Sequence, residues 1–273
     1  MGTLYLVGTP IGNLEDITLR ALRILARVGL VAAEDTRAAH KLLSHYDIKT
    51  PVTSYWERNK LTKLEHILRA LEQQDVALIS KAGMPGISDP GYELIKAAVE
   101  HGFAVVPIPG PSALVSALVV SALPTDSFLY LGFLPRKRGK RIRLLSSLVG
   151  EPRTMVAFEA PHRLTEALED IKETLGERPL AVTRELTKLH EEVVRGATSQ
   201  VIDHFQSAAP RGEVTLVIAG AEEASWEQGE VENALRRLRR EGFSGTEAVK
   251  EVAKMSGRPR AEVYRFWLSM EDQ

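Results

Sequence analysis

The sequence predicts an α/β protein made of two α/β domains followed by a small C-terminal helical tail. Three observations carry that prediction. Short β-branched runs alternate with longer stretches whose apolar residues recur three and four apart. Loops rich in glycine and proline follow several of those runs, where strands hand over to helices. After Gly229 the strand-like runs stop and only helical periodicity continues. The 273 residues allow two cores at about 150 residues per domain. The boundaries fall at 1–111, 112–228 and 229–273.

The elements follow in order. Leu4–Val7, Leu30–Ala33, Val52–Tyr55, Val76–Ser80 and Ala104–Ile108 read as buried strands. Between them Leu19–Val28, Lys60–Gln73 and Tyr92–His101 have the apolar stripe of surface helices. This alternation predicts a mostly parallel sheet covered on both faces. A helix near Ala113–Ala122 bridges to the second domain, and Pro124 ends it. There the strands are Phe128–Leu131, Thr154–Phe158, Leu180–Thr183, Glu192–Gly196 and Val214–Ala219, with helices at Arg138–Leu148, Leu164–Leu175 and Gln200–Phe205. In the tail, Val231–Glu241 is helical and Arg-rich. Ser244-Gly245-Thr246-Glu247 reads as a capping box opening a helix through Met255. Gly257 stops that helix and Ala261–Met270 makes a third, either a helix-turn-helix or a small helical cap.

Composition excludes several classes. With no cysteine there is no disulfide framework, thiolate metal site or cysteine nucleophile. His40 and His45 are five apart, off the spacing of a helical zinc pair, and no metal is expected. Neither G-x-S-x-G nor a Walker A loop occurs, and the first glycine loop is not a dinucleotide fingerprint. No run reaches the roughly 18 apolar residues of a membrane span. The N-terminus enters a strand without a basic n-region, which points to a cytoplasmic protein with no membrane partner. The net charge of −1 means that any nucleic-acid contact must come from a local concentration of cations.

Several segments stand out. Val7-Gly8-Thr9-Pro10-Ile11-Gly12-Asn13-Leu14 follows the first strand, at the end where open α/β sheets bind ligands. Ser80–Gly91 holds three glycines and two prolines in twelve residues, a stiff loop that a mere connection does not need. Ser112, after Pro109-Gly110-Pro111, either caps a helix or meets a ligand there. Charged clusters at Glu34–Arg37, Glu159–Arg163 and Arg184–Lys188 sit at strand ends, each a salt-bridged surface group or part of a polar site. Arg136–Arg143 carries six basic residues in eight positions, enough to hold several phosphates.

These motifs, in this order, resemble the tetrapyrrole-methylase superfamily of S-adenosylmethionine-dependent methyltransferases. The blocks Thr9–Thr18, Ala32–Arg37, Ser80–Gly91, Pro109–Ala113, Gly132–Pro135, Pro161–Arg163 and Arg184–Lys188 are similar to one branch in particular. That branch methylates the 2′ oxygen of a cytidine ribose in bacterial 16S ribosomal RNA, by resemblance cytidine 1402 of the decoding centre. Lys81, Met84 and Ala160 depart from its pattern, which has Asp, Thr and Ser there. The resemblance implies two tetrapyrrole-methylase-type domains with the methyl donor, S-adenosylmethionine, between them. It places the donor against Pro10, Lys81, Gly83, Met84 and Ile87, with Ser112, Ala113, Phe158 and Ala219 completing the site. It also implies a homodimer acting on 16S rRNA or the small ribosomal subunit.

A ribose hydroxyl is a weak acid, so a carboxylate is expected to take its proton; Glu34, Asp35, Asp89, Glu159 and Glu185 are the candidates. Arg37, Arg163 and the run Arg136, Lys137, Arg138, Lys140 and Arg141 are the expected phosphate contacts. Two other readings stay open: a porphyrin or corrin methylase, and a non-catalytic rRNA-binding factor.

Overall fold

Strands β1 (Thr3–Val7), β2 (Leu30–Ala33), β3 (Val52–Ser54), β4 (Val76–Ile79) and β5 (Ala104–Ile108) pair in parallel in the order β3-β2-β4-β1-β5. The structure, a computed structural model, describes all residues except 58, 207–210, 222–225, 227 and 272–273. β2 and β4 are buried along their whole length because helices cover both faces. Val31, Ala33, Ala77 and Ile79 pack with Leu25 and Leu42, from α1 (Leu19–Arg27) and α2 (Thr36–His45). Ala32, Val76 and Leu78 face the other way, toward Ile67, Leu71 and Leu94 of α3 (Lys60–Gln73) and α4 (Tyr92–Glu100).

The Glu34–Arg37 cluster opens helix α2: Asp35 Oδ1 accepts from the Arg37 and Ala38 N–H groups at 2.9 and 3.2 Å. α5 (Ala113–Val120) then opens on Ser112, whose hydroxyl accepts from Val115 N at 3.4 Å.

The second sheet combines β6 (Phe128–Phe133), β7 (Thr154–Glu159), β8 (Pro179–Arg184), β9 (Glu192–Ala197) and β10 (Val214–Ile218) in the order β6-β7-β10-β8-β9. Only β6 and β7 are parallel; β10 runs antiparallel to both β7 and β8, and β8 to β9. The start of β10 therefore lies beside the end of β7, with Val214 opposite Glu159 and Thr215 opposite Phe158.

α6 (Arg138–Ser146) is clamped to α7 (Leu164–Leu175) by charge. Arg141 is 0% exposed. Its Nε donates to Asp170 at 2.7 Å, Nη2 to Glu166 at 2.7 Å, and Nη1 to the Pro135 carbonyl at 3.3 Å. Arg138 reaches the other Asp170 oxygen at 2.8 Å. The sequence places Arg141 among the phosphate contacts, and that is corrected here. One helical turn before buried Leu145, it points inward, where buried Asp170 and the more exposed Glu166 take its charge.

Both sheets lie in one compact unit, Met1–Val149 with Arg153–Ala219; Gly150–Pro152 and Gly220–Gln273 form another. The latter holds α9 (Gln228–Arg240), α10 (Gly245–Ser256) and α11 (Arg260–Glu271), following α8 (Thr198–Gln206) in chain order. Val231, Leu235, Val249, Val252 and Trp267 share its core. The Ser244–Glu247 capping box is present, and Gly257 ends α10 in the left-handed conformation with φ 68°. Among the described residues no helix is long and apolar enough to cross a membrane.

The loops leaving β1 and β5 meet back to back. A Cβ on Gly8 would stand 2.8 Å from Gly110 Cα, and one on Gly110 would stand 2.9 Å from Gly8 Cα. Backbone cannot yield as a flexible side chain does, so Gly8→Ala is expected to cost about 1–3 kcal/mol in urea unfolding. Arg141→Ala, which takes from buried Asp170 one of its two arginine partners, is expected to cost about 3–5 kcal/mol. Exposed Lys140→Ala should stay within about 0.5 kcal/mol of wild type.

Candidate functional site

The carboxyl ends of β1, β4 and β5 each release a loop. Two backbone hydrogen bonds of 2.9 Å, Thr9 N to Gly83 O and Gly83 N to Thr9 O, tie the first loop to the second. The Ser80 hydroxyl donates to the Ala82 and Gly83 carbonyls at 3.1 Å, fixing the turn from inside. Gly83 and Gly86 take φ of 78° and 82°, a region that costs other residues about 1–2 kcal/mol. Both positions therefore favour glycine.

These loops wall a cleft of about 700 Å³. Lys81, Gly83, Met84, Ile87, Ser112, Ala113 and Phe158 all line it. Two residues carried over by resemblance do not: Pro10 is absent from its lining, and Ala219 sits past the far end of β10. There Ala219 bonds to Pro179 and Arg178. Ala219 is thus withdrawn from the site. An antiparallel β10 brings its first residues to the cleft, so Val214 and Thr215 line it instead. Phe133, at the end of β6, also lines the cleft and packs against Phe158 with ring centroids 5.4 Å apart. Ile11 and Val115 complete the apolar wall. Strand order, which only the structure gives, was needed to find β6 and β10 here.

A second hollow, about 740 Å³, lies across the carboxyl ends of β2, β3 and β4, lined by Asp35, Arg37, Ser54, Trp56 and Pro90 among others. Glu34, Lys81, Ser88 and Asp89 line both spaces.

The five carboxylates have different surroundings. Asp35 is engaged as the α2 cap, and the Ala38 N–H holds its pKa down. Glu34 accepts from Lys81 N at 2.9 Å. Glu159 is buried against Arg163 and accepts from Ala160 N at 2.6 Å; burial nevertheless pushes its pKa up. Glu185 lines neither space. It accepts from Lys188 Nζ at 2.8 Å and Glu213 N at 3.0 Å, and the Lys188 contact lowers its pKa. The loop after Glu185 packs on Gly12, where a Cβ would stand 2.9 Å from the Leu186 carbonyl. Asp89 differs from the other four. Burial first, then the neighbouring Glu34 and Glu213 charges, push its pKa up to about 7 against the pull of Ser80 and Lys81.

The cations also separate. Arg163 is mostly buried on Glu159, whereas Arg37 is exposed at the second hollow. Arg138 is half exposed but paired with Asp170 and Glu173. Arg136, Lys137 and Lys140 are exposed, and among the described residues they make no ion pair. They follow Phe133 within a few residues, so the basic run begins close to where β6 ends in the cleft.

Comparison with known proteins places this geometry. Residues 3–202 match the family described as Tetrapyrrole (Corrin/Porphyrin) Methylases. A "Ribosomal RNA small subunit methyltransferase I" of Synechocystis sp. is 46% identical over 99% of each chain. One from Halalkalibacterium halodurans is 44% identical over 97% of this chain and 94% of its own. In fold the chain is similar to cobalt precorrin-4 methyltransferase, with a TM-score of 0.61 at 18% identity over 80% of this chain and 94% of that one. The chain therefore belongs to the tetrapyrrole (corrin/porphyrin) methylase family, in the group of the ribosomal RNA small subunit methyltransferases I.

Proposed function

We propose that this chain is an S-adenosylmethionine-dependent enzyme that methylates the 2′ oxygen of a cytidine ribose in 16S rRNA, at cytidine 1402. The reading is supported by near full-length relatives carrying the rRNA methyltransferase name, which disfavours the porphyrin and corrin alternative. The observation that carries the chemistry is that Asp89 lines both hollows, so a group held in one can meet a group held in the other across its carboxyl.

The cleft fits the donor. Its volume lies within the range of small-molecule sites, about 300–1,000 Å³. Met84, Ile87, Val115, Phe133 and Phe158 give it an apolar wall, and Gly83 and Gly110 let backbone come close. The Gly83–Met84 turn, Ser112-Ala113, Phe158 and Val214-Thr215 would hold the donor. When bound, S-adenosylmethionine supplies an electrophilic methyl group on a sulfonium. Lys81 and Met84 depart from the branch pattern, but the turn keeps its shape through the backbone of Thr9, Gly83 and Lys81.

Asp89 takes the proton. As the ribose oxygen bonds to the methyl carbon, the carbon–sulfur bond would break and S-adenosylhomocysteine would leave as a neutral thioether, while the hydroxyl proton passes to the Asp89 carboxylate. A carboxyl group that titrates near 7 is more basic than an ordinary one, closer to what a weakly acidic hydroxyl requires. Arg37, Arg136, Lys137 and Lys140 contact phosphates. Lys137 and Lys140 stand at the first turn of α6, the positive end of its dipole, an arrangement a phosphate relieves. The enzyme acts in the cytoplasm, as a homodimer to which exposed Val119 on α5 offers an apolar contact.

Asp89 must be ionised to accept a proton, so kcat/KM is expected to rise with pH through about 7 and level off above it. Asp89→Asn should remove that inflection and lower kcat by about 10²- to 10⁴-fold. A variant that keeps the wild-type profile excludes Asp89 as the acceptor. Changing Arg136, Lys137 and Lys140 together to Glu should weaken RNA binding. The slope of log affinity against log salt should become shallower by about 2, at about 0.7 per phosphate lost. An unchanged slope removes the run from the RNA face.

A further inference from the structure

The second hollow contains one feature that proton transfer and phosphate contact leave unused. Trp56 lines it and is 40% exposed, although its neighbour Tyr55 is wholly buried. Among the described residues of its lining, the others are polar or charged, and Trp56 and Pro90 offer the broad apolar faces.

The turn that carries Trp56 is tightly built. Asn59 Oδ1 accepts from Trp56 N at 2.8 Å, and the Asn59 amide donates to Ser54 Oγ at 3.0 Å. Asn59 N donates back to the Trp56 carbonyl at 2.9 Å, and Tyr55 N reaches Ala33 O on β2 at 2.7 Å. The main chain that carries the indole is therefore anchored to the first sheet at the carboxyl ends of its strands. Ordering it beforehand reduces what a ligand must spend on immobilising it.

The occupant follows from chemistry. A ribose whose hydroxyl reaches Asp89 carries its base on the adjacent carbon. That base must lie in one of the two spaces that Asp89 lines, and the apolar cleft is taken by the donor. Single-stranded RNA is read by stacking unpaired bases on aromatic side chains. A base is uncharged, so the carboxylates around the hollow do not repel it. We propose that Trp56 is the stacking platform for the base of the nucleotide being methylated. Trp56 is thus a positioning residue for the acceptor, in an inference that rests on the RNA-methylating reading above.

The test uses full-length enzyme, tritiated S-adenosylmethionine and unmethylated small ribosomal subunits. Trp56→Ala should raise KM for the subunits about tenfold to a hundredfold, the range that loss of one stacked base produces. The dissociation constant for S-adenosylmethionine, measured by calorimetry, should stay at the wild-type value. Trp56→Phe, which keeps a ring, should restore KM to within about threefold of wild type. An unchanged KM in Trp56→Ala, or equal damage in the Ala and Phe variants, overturns the proposal. A second measurement does not depend on how the Ala variant folds. A short oligoribonucleotide spanning the target cytidine should quench tryptophan emission in wild type but not in Trp56→Phe. Equal quenching in both assigns it to Trp226 or Trp267 and overturns the proposal. Wild-type enzyme that transfers no methyl group to the subunits would instead remove the RNA-methylating reading beneath it.

Discussion

The reciprocal backbone bonds between Thr9 and Gly83 are the contact on which the site depends. They join the loop after β1 to the loop after β4, while Gly8 against Gly110 brings the loop after β5 to the same place. Three loops from three strands become one wall. Parallel strands make this possible, since neighbouring β4, β1 and β5 release their chains at one edge of the sheet. Side chains matter less to this wall than the backbone does.

The opposite wall depends on a reversal of direction. In a parallel second sheet, the end of β10 would lie beside the end of β7. The antiparallel pairing puts the start of β10 there, so Thr215 meets Phe158 and Ala219 is carried to the far edge. Most elements were legible in the sequence: Leu30–Ala33, Ala104–Ile108, Lys60–Gln73 and Leu164–Leu175 form with the boundaries that periodicity gives. Strand direction was not legible, because an apolar run reads the same whichever way its neighbour points. The glycine turn at Gly83 and Gly86 could be found in the sequence, and Phe133 stands within the Gly132–Pro135 block, but only strand order brings β6 beside β7 and so puts that ring in the cleft.

Charge was the least legible property. Five carboxylates at strand ends look alike in sequence, and their roles separate only when neighbours are known. Asp35 serves a helix, Glu185 a lysine and Glu159 an arginine. Asp89 alone combines burial with two repelling carboxylates at a place open to both hollows. The basic run divides in the same way. Arg141 lies on the inner face of α6 and holds two helices together, while Lys140, one residue earlier, faces solvent. A count of six cations cannot make that distinction, because it depends on which way each position points around the helix.

The most direct test is whether the glycine-walled cleft seats S-adenosylmethionine. Calorimetric titration of the methyl donor into the folded wild-type chain, and into an Ala113→Trp variant with the same circular dichroism, decides it. Ala113 lines the cleft at the first turn of α5, so an indole there should occupy the space with little disturbance to either core. The predicted result is saturable binding by wild type and none by the variant. Equal affinity in both would put the donor elsewhere and contradict the assignment of the cleft.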